Sequence, residues 1–335
     1  MNGSLSRRGF LRQSFAFSAL ASLGSLPSFA KSHAGNAESF QWLMIGDWGY
    51  ENATAQEQVA AGMRAYAQQH SLKTDALLML GDNWYGELPG GVDSPRWKTH
   101  FEDLYPKSIF DCPAYAILGN HDYQRMPESK VEAELAYAKR GNTRWIMPAR
   151  WYSFEFPAKN PLVTVIALDS NMPHANAAPA KSVNFTLTPE EQAAQLRWLK
   201  AELEKPRRTP YLIVMAHHPI YSNGPHGDHK VLIADWEPLL REHKAHLYLA
   251  GHDHDLQHLE FEGHPTSFVM SGGGGADLYT LKIDEAQRGP YAAKAYGFSH
   301  LQIAADKLTL LHMDQTGRMI HGFTKTPDGQ VKILS

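Results

Sequence analysis

Ala76-Leu77-Leu78-Met79-Leu80-Gly81-Asp82-Asn83-Trp84-Tyr85 is the stretch that decides the architecture. Five apolar residues in a row suit a strand buried on both faces, and they stop at a glycine followed by a carboxylate. The same grammar recurs along the chain. Phe40–Ile45 stops at Gly46-Asp47, Ala114–Leu118 at Gly119-Asn120-His121-Asp122, Tyr211–Ala216 at His217, and Leu247–Ala250 at Gly251-His252. A further run, Val163–Leu168, ends at Asp169. Helical spacing fills the intervals at Ala53–His70, at Pro189–Glu204 behind a Thr188 N-cap, and at Val231–His243. Strand and helix in alternation predict an α/β fold, with its ligand site beyond the carboxyl ends of the strands. The final third, Gln257–Ser271 and Tyr296–Thr324, reads as strands and turns, and predicts a second, largely antiparallel sheet packed on the first. Gly86–Pro95 and Met172–Lys181 read as loops.

The bulk properties fit this picture. The chain has 335 residues, 43% hydrophobic and 20% charged, which excludes collagen-like, coiled-coil and largely disordered chains. The net charge is −3 and no basic block runs through the sequence, so a nucleic-acid duplex is excluded as the main partner. Cys112 is the single cysteine, so no intramolecular disulfide can form. The 18 histidines point toward metal chemistry instead.

The N-terminus reads as an export signal. Ser6-Arg7-Arg8-Gly9-Phe10-Leu11-Arg12 precedes an apolar run from Phe15 to Leu26, and Pro27-Ser28-Phe29-Ala30 supplies a small-residue cleavage site. The run is too short to span a membrane comfortably. The paired arginines resemble the twin-arginine signal of bacteria, which carries proteins across already folded. Residues 1–30 are thus expected to be a leader and 31–39 a linker, followed by one domain over 40–335. Removing three arginines and no acid from 32 basic and 35 acidic residues would leave a net charge of −6. The mature chain is expected to be periplasmic or secreted, without a stable membrane anchor.

The polar strand ends form one donor set: Asp47, Asp82, Asn120-His121, His217 and His252-x-His254. Carboxylate, imidazole and amide oxygen are hard-to-borderline ligands that suit iron, zinc or manganese. His252 and His254, two apart in a turn, can diverge toward two neighbouring ions. A carboxylate such as Asp82 can bridge them. Two ions about 3.5–4 Å apart can clamp a phosphoryl group and generate hydroxide between them.

These motifs, with Gly46-Asp47-Trp48-Gly49, Gly81-Asp82-Asn83-Trp84-Tyr85, Ala216-His217-His218-Pro219 and Gly251-His252-Asp253-His254, resemble the metallophosphoesterases. Within that superfamily the chain is similar to the small purple, or tartrate-resistant, acid phosphatases over about residues 40 to 275. The resemblance implies a sandwich of two mixed β-sheets flanked by helices in four layers. It implies that Asp47, Tyr85 and His254 hold a ferric ion, that Asp82 bridges, and that Asn120, His217 and His252 hold a divalent iron, zinc or manganese. Tyr85 carries the iron assignment, because a phenol with pKa near 10 becomes a phenolate ligand at acidic pH only beside a strong Lewis acid. His121 would reach the substrate's phosphate oxygens or leaving group. His226, nine residues after His217, has the spacing of a second substrate-facing histidine.

The implied reaction is hydrolysis of a small phosphate monoester by a metal-bound hydroxide, with a histidine as general acid. The enzymatic alternative is a phosphodiesterase of the same superfamily, acting on cyclic nucleotides or phospholipid head groups. The non-catalytic one is a metal- or phosphate-binding protein. Of the remaining polar residues, His218 is expected to point away from the ions. Asp122 and Asp253 either bond neighbouring imidazoles or cap turns, Asp169 caps a turn, and Gly272–Gly275 either cradles phosphate or permits a close approach. The sequence does not specify the physiological substrate or the oligomeric state.

Overall fold

The computed structural model describes residues 39–124, 130–172, 186–284 and 288–334. Ser39–Ile45 (β1) runs parallel to Ala76–Met79 (β2), with Leu43 opposite Leu77, and Thr54–Gln69 (α1) makes the crossover. Ala114–Ala116 (β3) and Trp145–Ile146 (β4) continue the parallel set, with Asn120–Tyr123 (α2) and Val131–Ala138 (α3) between them. β2, β3 and β4 are apolar throughout, and β1 is so from Trp42 onward, because both faces are covered. Inner-face residues meet the second sheet, and Val59, Met63 and Tyr66 of α1 join the same buried cluster.

The second sheet starts with Tyr152–Phe156 (β5), antiparallel to Val163–Ala167 (β6). Pro189–Leu203 (α4) leads to Tyr211–Met215 (β7), parallel to β6. Thr188 caps α4 as expected, its hydroxyl accepting from the Glu191 N–H while the Glu191 carboxylate accepts from the Thr188 N–H. Lys230–Asp235 (α5) and Glu237–Glu242 (α6) lead to Leu247–Ala250 (β8), parallel to β7. The single helix expected over Val231–His243 is therefore two. Pro238, in the first turn of α6, has no N–H to continue the ladder, and the fully buried Trp236 sits at the joint. Leu199, Leu203, Leu232, Trp236 and Leu240 bury the outer face of this sheet.

The final third corrects a second expectation. It does not form a sheet of its own. Leu256–Leu259 (β9), Ser267–Ser271 (β10) and Pro290–Ala293 (β11) extend the second sheet. Gly297–Ala304 (β12) pairs antiparallel with β1 and carries Leu308–Asp314 (β13), Met319–Lys325 (β14) and Val331–Leu334 (β15) onto the first sheet. The result is an eight-stranded sheet, β15-β14-β13-β12-β1-β2-β3-β4, facing a seven-stranded one, β11-β9-β10-β8-β7-β6-β5. Both are mixed, and helices flank them: this is the two-sheet sandwich expected.

Gly86–Pro95 is a loop apart from one 3₁₀ turn at Gly91–Asp93. The linker expected over 31–39 stops short, because Ser39 already pairs with Ala304 at the start of β1. The expected leader lies outside the described residues, as does most of the Met172–Lys181 loop. Among the described residues no helix is long and apolar enough to cross a membrane.

Candidate metal centre

The parallel strands of both sheets end at one place. From the first sheet, the turns after β1, β2 and β3 present Asp47, Asp82 and Asn120; from the second, those after β7 and β8 present His217 and His252 with His254. Hydrogen bonds lock the two edges together. His217 Nδ1 donates to the Leu80 carbonyl at 2.9 Å, the His252 N–H donates to Asp47 Oδ2 at 2.8 Å, and the Gly46 N–H donates to the Ser271 carbonyl at 2.7 Å. Such contact needs bare backbone. A Cβ on Gly251 would lie 2.6 Å from Asp47 Oδ2, and one on Gly119 would lie 2.2 Å from Asp82 Oδ1. Asp47, Asp82 and His252 themselves have φ of 58°, 50° and 72°. Aspartate and histidine tolerate this left-handed region better than most residues, yet three in one cluster mark backbone bent to aim side chains inward.

The seven predicted donors converge. The Tyr85 hydroxyl lies 3.2 Å from Asp47 Oδ1, 3.0 Å from Asp82 Oδ2 and 3.1 Å from His254 Nε2. On the other side His217 Nε2 lies 3.2 Å from Asn120 Oδ1, which is 2.9 Å from His252 Nδ1. Asp82 Oδ2 stands between the groups, 3.3 Å from His217 Nε2. Asp47, Asp82 and His254 each offer a donor atom, all within 4.8 Å of one another. His254 Nδ1 donates to the Asp277 carbonyl at 2.6 Å, so its Nε2 is left facing the carboxylates. His217 is anchored in the same way through Leu80. A backbone carbonyl behind each imidazole fixes the tautomer a ligand needs.

The electrostatics call for cations. Burial raises the Asp47 carboxyl well above its usual range, opposed by His217 and reinforced by Asp82. Burial opposes ionisation of Asp82 too, but His217 and then His121 hold it low. Burial likewise resists a charge on His217, yet Asp82 and Asp47 hold its pKa up at about 10. Burial, together with the imidazoles of His218, His217, His226 and His254, drives His252 well down. Two buried carboxyl groups thus lean on one imidazole, while Asn120 and His252 add uncharged donor atoms. This oxygen and nitrogen donor set fits a pair of iron-, zinc- or manganese-type ions.

The calcineurin-like phosphoesterase family profile matches residues 41–256, a segment that contains all seven donors. The chain is 30% identical over 311 residues to human tartrate-resistant acid phosphatase type 5, covering 88% of this chain and 92% of the human protein. It is 30% identical over 332 residues to purple acid phosphatase 7 of Arabidopsis thaliana, covering 93% of each. The chain belongs to the purple acid phosphatases. Among solved structures, GAP50, described as the anchor in the inner membrane complex of Plasmodium, superposes with a TM-score of 0.69 at 20% identity, covering 89% of this chain and 90% of that one. That likeness is one of fold.

Around the donors of this purple acid phosphatase family member, the two histidines expected to face the substrate lie beside Tyr85 and Asp82 (His121) and beside His252 (His226). His121 packs its ring 4.0 Å from that of Tyr85, holds Gln124 Oε1 at 3.0 Å through Nδ1 and keeps Nε2 4.0 Å from Asp82 Oδ2. Burial lowers its pKa, against the pull of Asp82. His226 lies 4.2 Å, ring to ring, from His252, and its Nδ1 is 2.6 Å from Asp253 Oδ1.

The open alternatives also resolve. Asp253 bonds an imidazole, whereas Asp122 caps a turn, accepting from the N–H groups of Gly119, Asn83 and Trp84. Asp169 caps Asn171 and takes the Tyr123 hydroxyl. His218 bonds Ser170 through Nδ1. Gly272 permits close approach, since a Cβ there would meet the Asp253 carbonyl at 2.1 Å. Sequence reasoning missed Tyr279, whose ring stacks 4.0 Å from that of His254. Burial, with Asp47, Asp82 and Asp253 nearby, pushes its pKa up to about 12. A lone tyrosine in a turn-rich segment carries no pattern that would have marked it.

Proposed function

We propose that the chain is an exported acid phosphatase that hydrolyses small phosphate monoesters at a two-ion site. The carrying observation is the donor arrangement: Asp47, Tyr85 and His254 on one side, Asn120, His217 and His252 on the other, and Asp82 between. We assign the first group to ferric iron and the second to a divalent iron, zinc or manganese. Such a pair of ions neutralises charge on phosphate oxygens and acidifies a water for attack on phosphorus.

The chain's own groups do the rest. The carbonyls of Leu80 and Asp277 orient two ligand imidazoles, so no reorganisation is needed when substrate arrives. His121, beside Tyr85, and His226, beside His252, bind phosphate oxygens and protonate the departing ester oxygen. Residues 1–30 act as a twin-arginine leader, and 40–335 form the catalytic domain. Export of an already folded chain suits a protein that loads its ions before leaving the cytoplasm.

The test combines elemental analysis with activity. The purified protein is expected to carry two metal ions per chain, one of them iron, and to cleave aryl monoesters faster than bis-aryl diesters. Asp82→Ala is expected to lose metal and at least about 10³-fold in kcat. A faster rate on diesters would favour phosphodiesterase action, and unchanged activity in Asp82→Ala would remove the assignment.

A further inference from the structure

The turn between His252 and His254 carries a buried carboxylate that holds no place in the donor set. Asp253 is fully buried, and its carboxylate turns toward the Ser222–His226 loop. Oδ1 accepts from His226 Nδ1 at 2.6 Å and from the His226 N–H at 3.5 Å, while Oδ2 takes the Ser222 hydroxyl. The loop is built over it. A Cβ on Gly224 would lie 2.4 Å from the Asp253 carboxyl carbon, so only glycine fits there. From below, Gln257 Nε2 donates to Ser222 Oγ at 3.2 Å, and Gln257 Oε1 accepts the Asn223 N–H at 2.8 Å. The imidazole it holds is the opposite case. His226 keeps 44% of its side chain exposed, beside His252 and Tyr279.

We propose that Asp253 is the positioning residue for His226, fixing its Nδ1–H tautomer so that Nε2 serves the ester's leaving oxygen. A carboxylate can only accept, so the nitrogen facing it must carry the hydrogen. Nε2 is then the nitrogen left to act in the cleft, as in other carboxylate-held imidazoles. His121 differs: its Nδ1 partner is the neutral amide of Gln124, and its ring lies on Tyr85. The two histidines therefore divide the labour, His226 at the leaving group and His121 at the phosphate. In the step, the bond from phosphorus to the ester oxygen breaks and its electron pair stays on that oxygen. With Nδ1–H held by Asp253, the second proton that makes His226 a cation sits on Nε2, and this proton passes to the oxygen, releasing a neutral alcohol. A water oxygen takes the vacated place on phosphorus, its proton goes to solvent, and solvent returns one to His226.

This rests on the monoesterase reading above, and the experiment separates the two. Asp253→Asn, Ser222→Ala, His226→Ala and the Asp253→Asn/His226→Ala double variant are compared with the unaltered, metal-loaded protein on an alkyl phosphate and on p-nitrophenyl phosphate. The second leaving group needs little protonation. Asp253→Asn is expected to lose about 10- to 100-fold in kcat on the alkyl ester and under about 3-fold on the aryl ester, with KM and metal content unchanged. Ser222→Ala should show a smaller loss with the same bias, and the double variant should be no worse than His226→Ala. In the zinc-loaded protein, nitrogen-15 spectra should show the Nδ1–H tautomer of His226. Equal losses on both esters, loss of metal, additive effects in the double variant, or the other tautomer would each overturn the proposal. If Asp253→Asn does not fold, Ser222→Ala and the tautomer decide by the same criteria. An unaltered protein inactive on both esters overturns the monoesterase reading, and this proposal falls with it.

Discussion

Tyr85 shows how one side chain joins packing to chemistry. Its ring is held between His121, 4.0 Å away, and Tyr50, 5.3 Å away, while its hydroxyl reaches both carboxylates. Burial first, and then Asp82 and Asp47, hold the phenol well above its ordinary pKa in the metal-free chain. Only a strongly acidic cation in contact with the oxygen would reverse that. Tyr85→Phe keeps the ring contacts and removes the oxygen. The expected result is a change in stability within about 1 kcal/mol and loss of the visible absorption band of the iron-loaded protein. A band that persists would exclude Tyr85 as a ligand. The cluster was legible in the sequence because Asp47, Asp82, Asn120, His217 and His252 stand within a few residues of a strand's carboxyl end, whereas Tyr85 was marked only by the family motif it resembles. The Asp253–His226 pair was half legible. Spacing marked the histidine, but its partner lies far away in sequence, joined to it only by the fold.

At the scale of elements, Arg96 shows how the loop bearing Tyr85 is held from outside. Arg96 donates to the carbonyls of Tyr85 at 2.8 Å and Gly49 at 2.9 Å, and also to Glu87, and its guanidinium lies 5.3 Å from the Trp84 ring. It thus ties the turn after β1 to the turn after β2. Arg96→Ala leaves three carbonyls without their charged donor. It is expected to cost about 2–3 kcal/mol, read by denaturant unfolding, and to weaken metal retention against a chelator. Unchanged retention would show that the two turns hold their shape alone. Elements of this size also mark where the sequence was silent. β4 spans two residues and β11 four, none of the latter fully buried, so neither gives a periodic signal. The apolar strands β1, β2, β7 and β8 were legible, though two of them are no longer than β11, because burial on both faces leaves little freedom in composition.

For the whole molecule, sheet membership was the part that local sequence does not encode. β12 reads like any strand of the final third, and its pairing with β1 is set by which apolar faces meet across the sandwich. The seam this creates is rich in neutral histidine. His258 of β9 holds His321 of β14 at 3.0 Å and Glu260 at 2.7 Å, and His312 of β13 bonds Ser299 and the Gln257 carbonyl. Burial lowers His258 and His312, and brings His321 and the buried His300 down to about 3. Above about pH 6.5 neither the folded nor the unfolded chain protonates these rings. Below it the unfolded chain takes up protons that the folded chain refuses, so stability falls as pH drops toward the folded values. For a group such as His300 this amounts to about 2 kcal/mol at pH 5. The thermal midpoint of the metal-loaded protein should therefore decline between pH 7 and pH 5, less steeply in His300→Gln. A flat profile would refute this.

The bonds that cross between the sheets, His217 to Leu80 and His252 to Asp47, also bear on biogenesis. No fragment ending before β8 carries the whole donor set, because His252 and His254 follow that strand, so a chain emerging from the ribosome lacks a complete cage until residue 254 of its 335 has been made and the two layers have docked. Acquisition of the inorganic cargo then certifies a finished molecule, and a quality-control step need only sense whether the cargo is aboard.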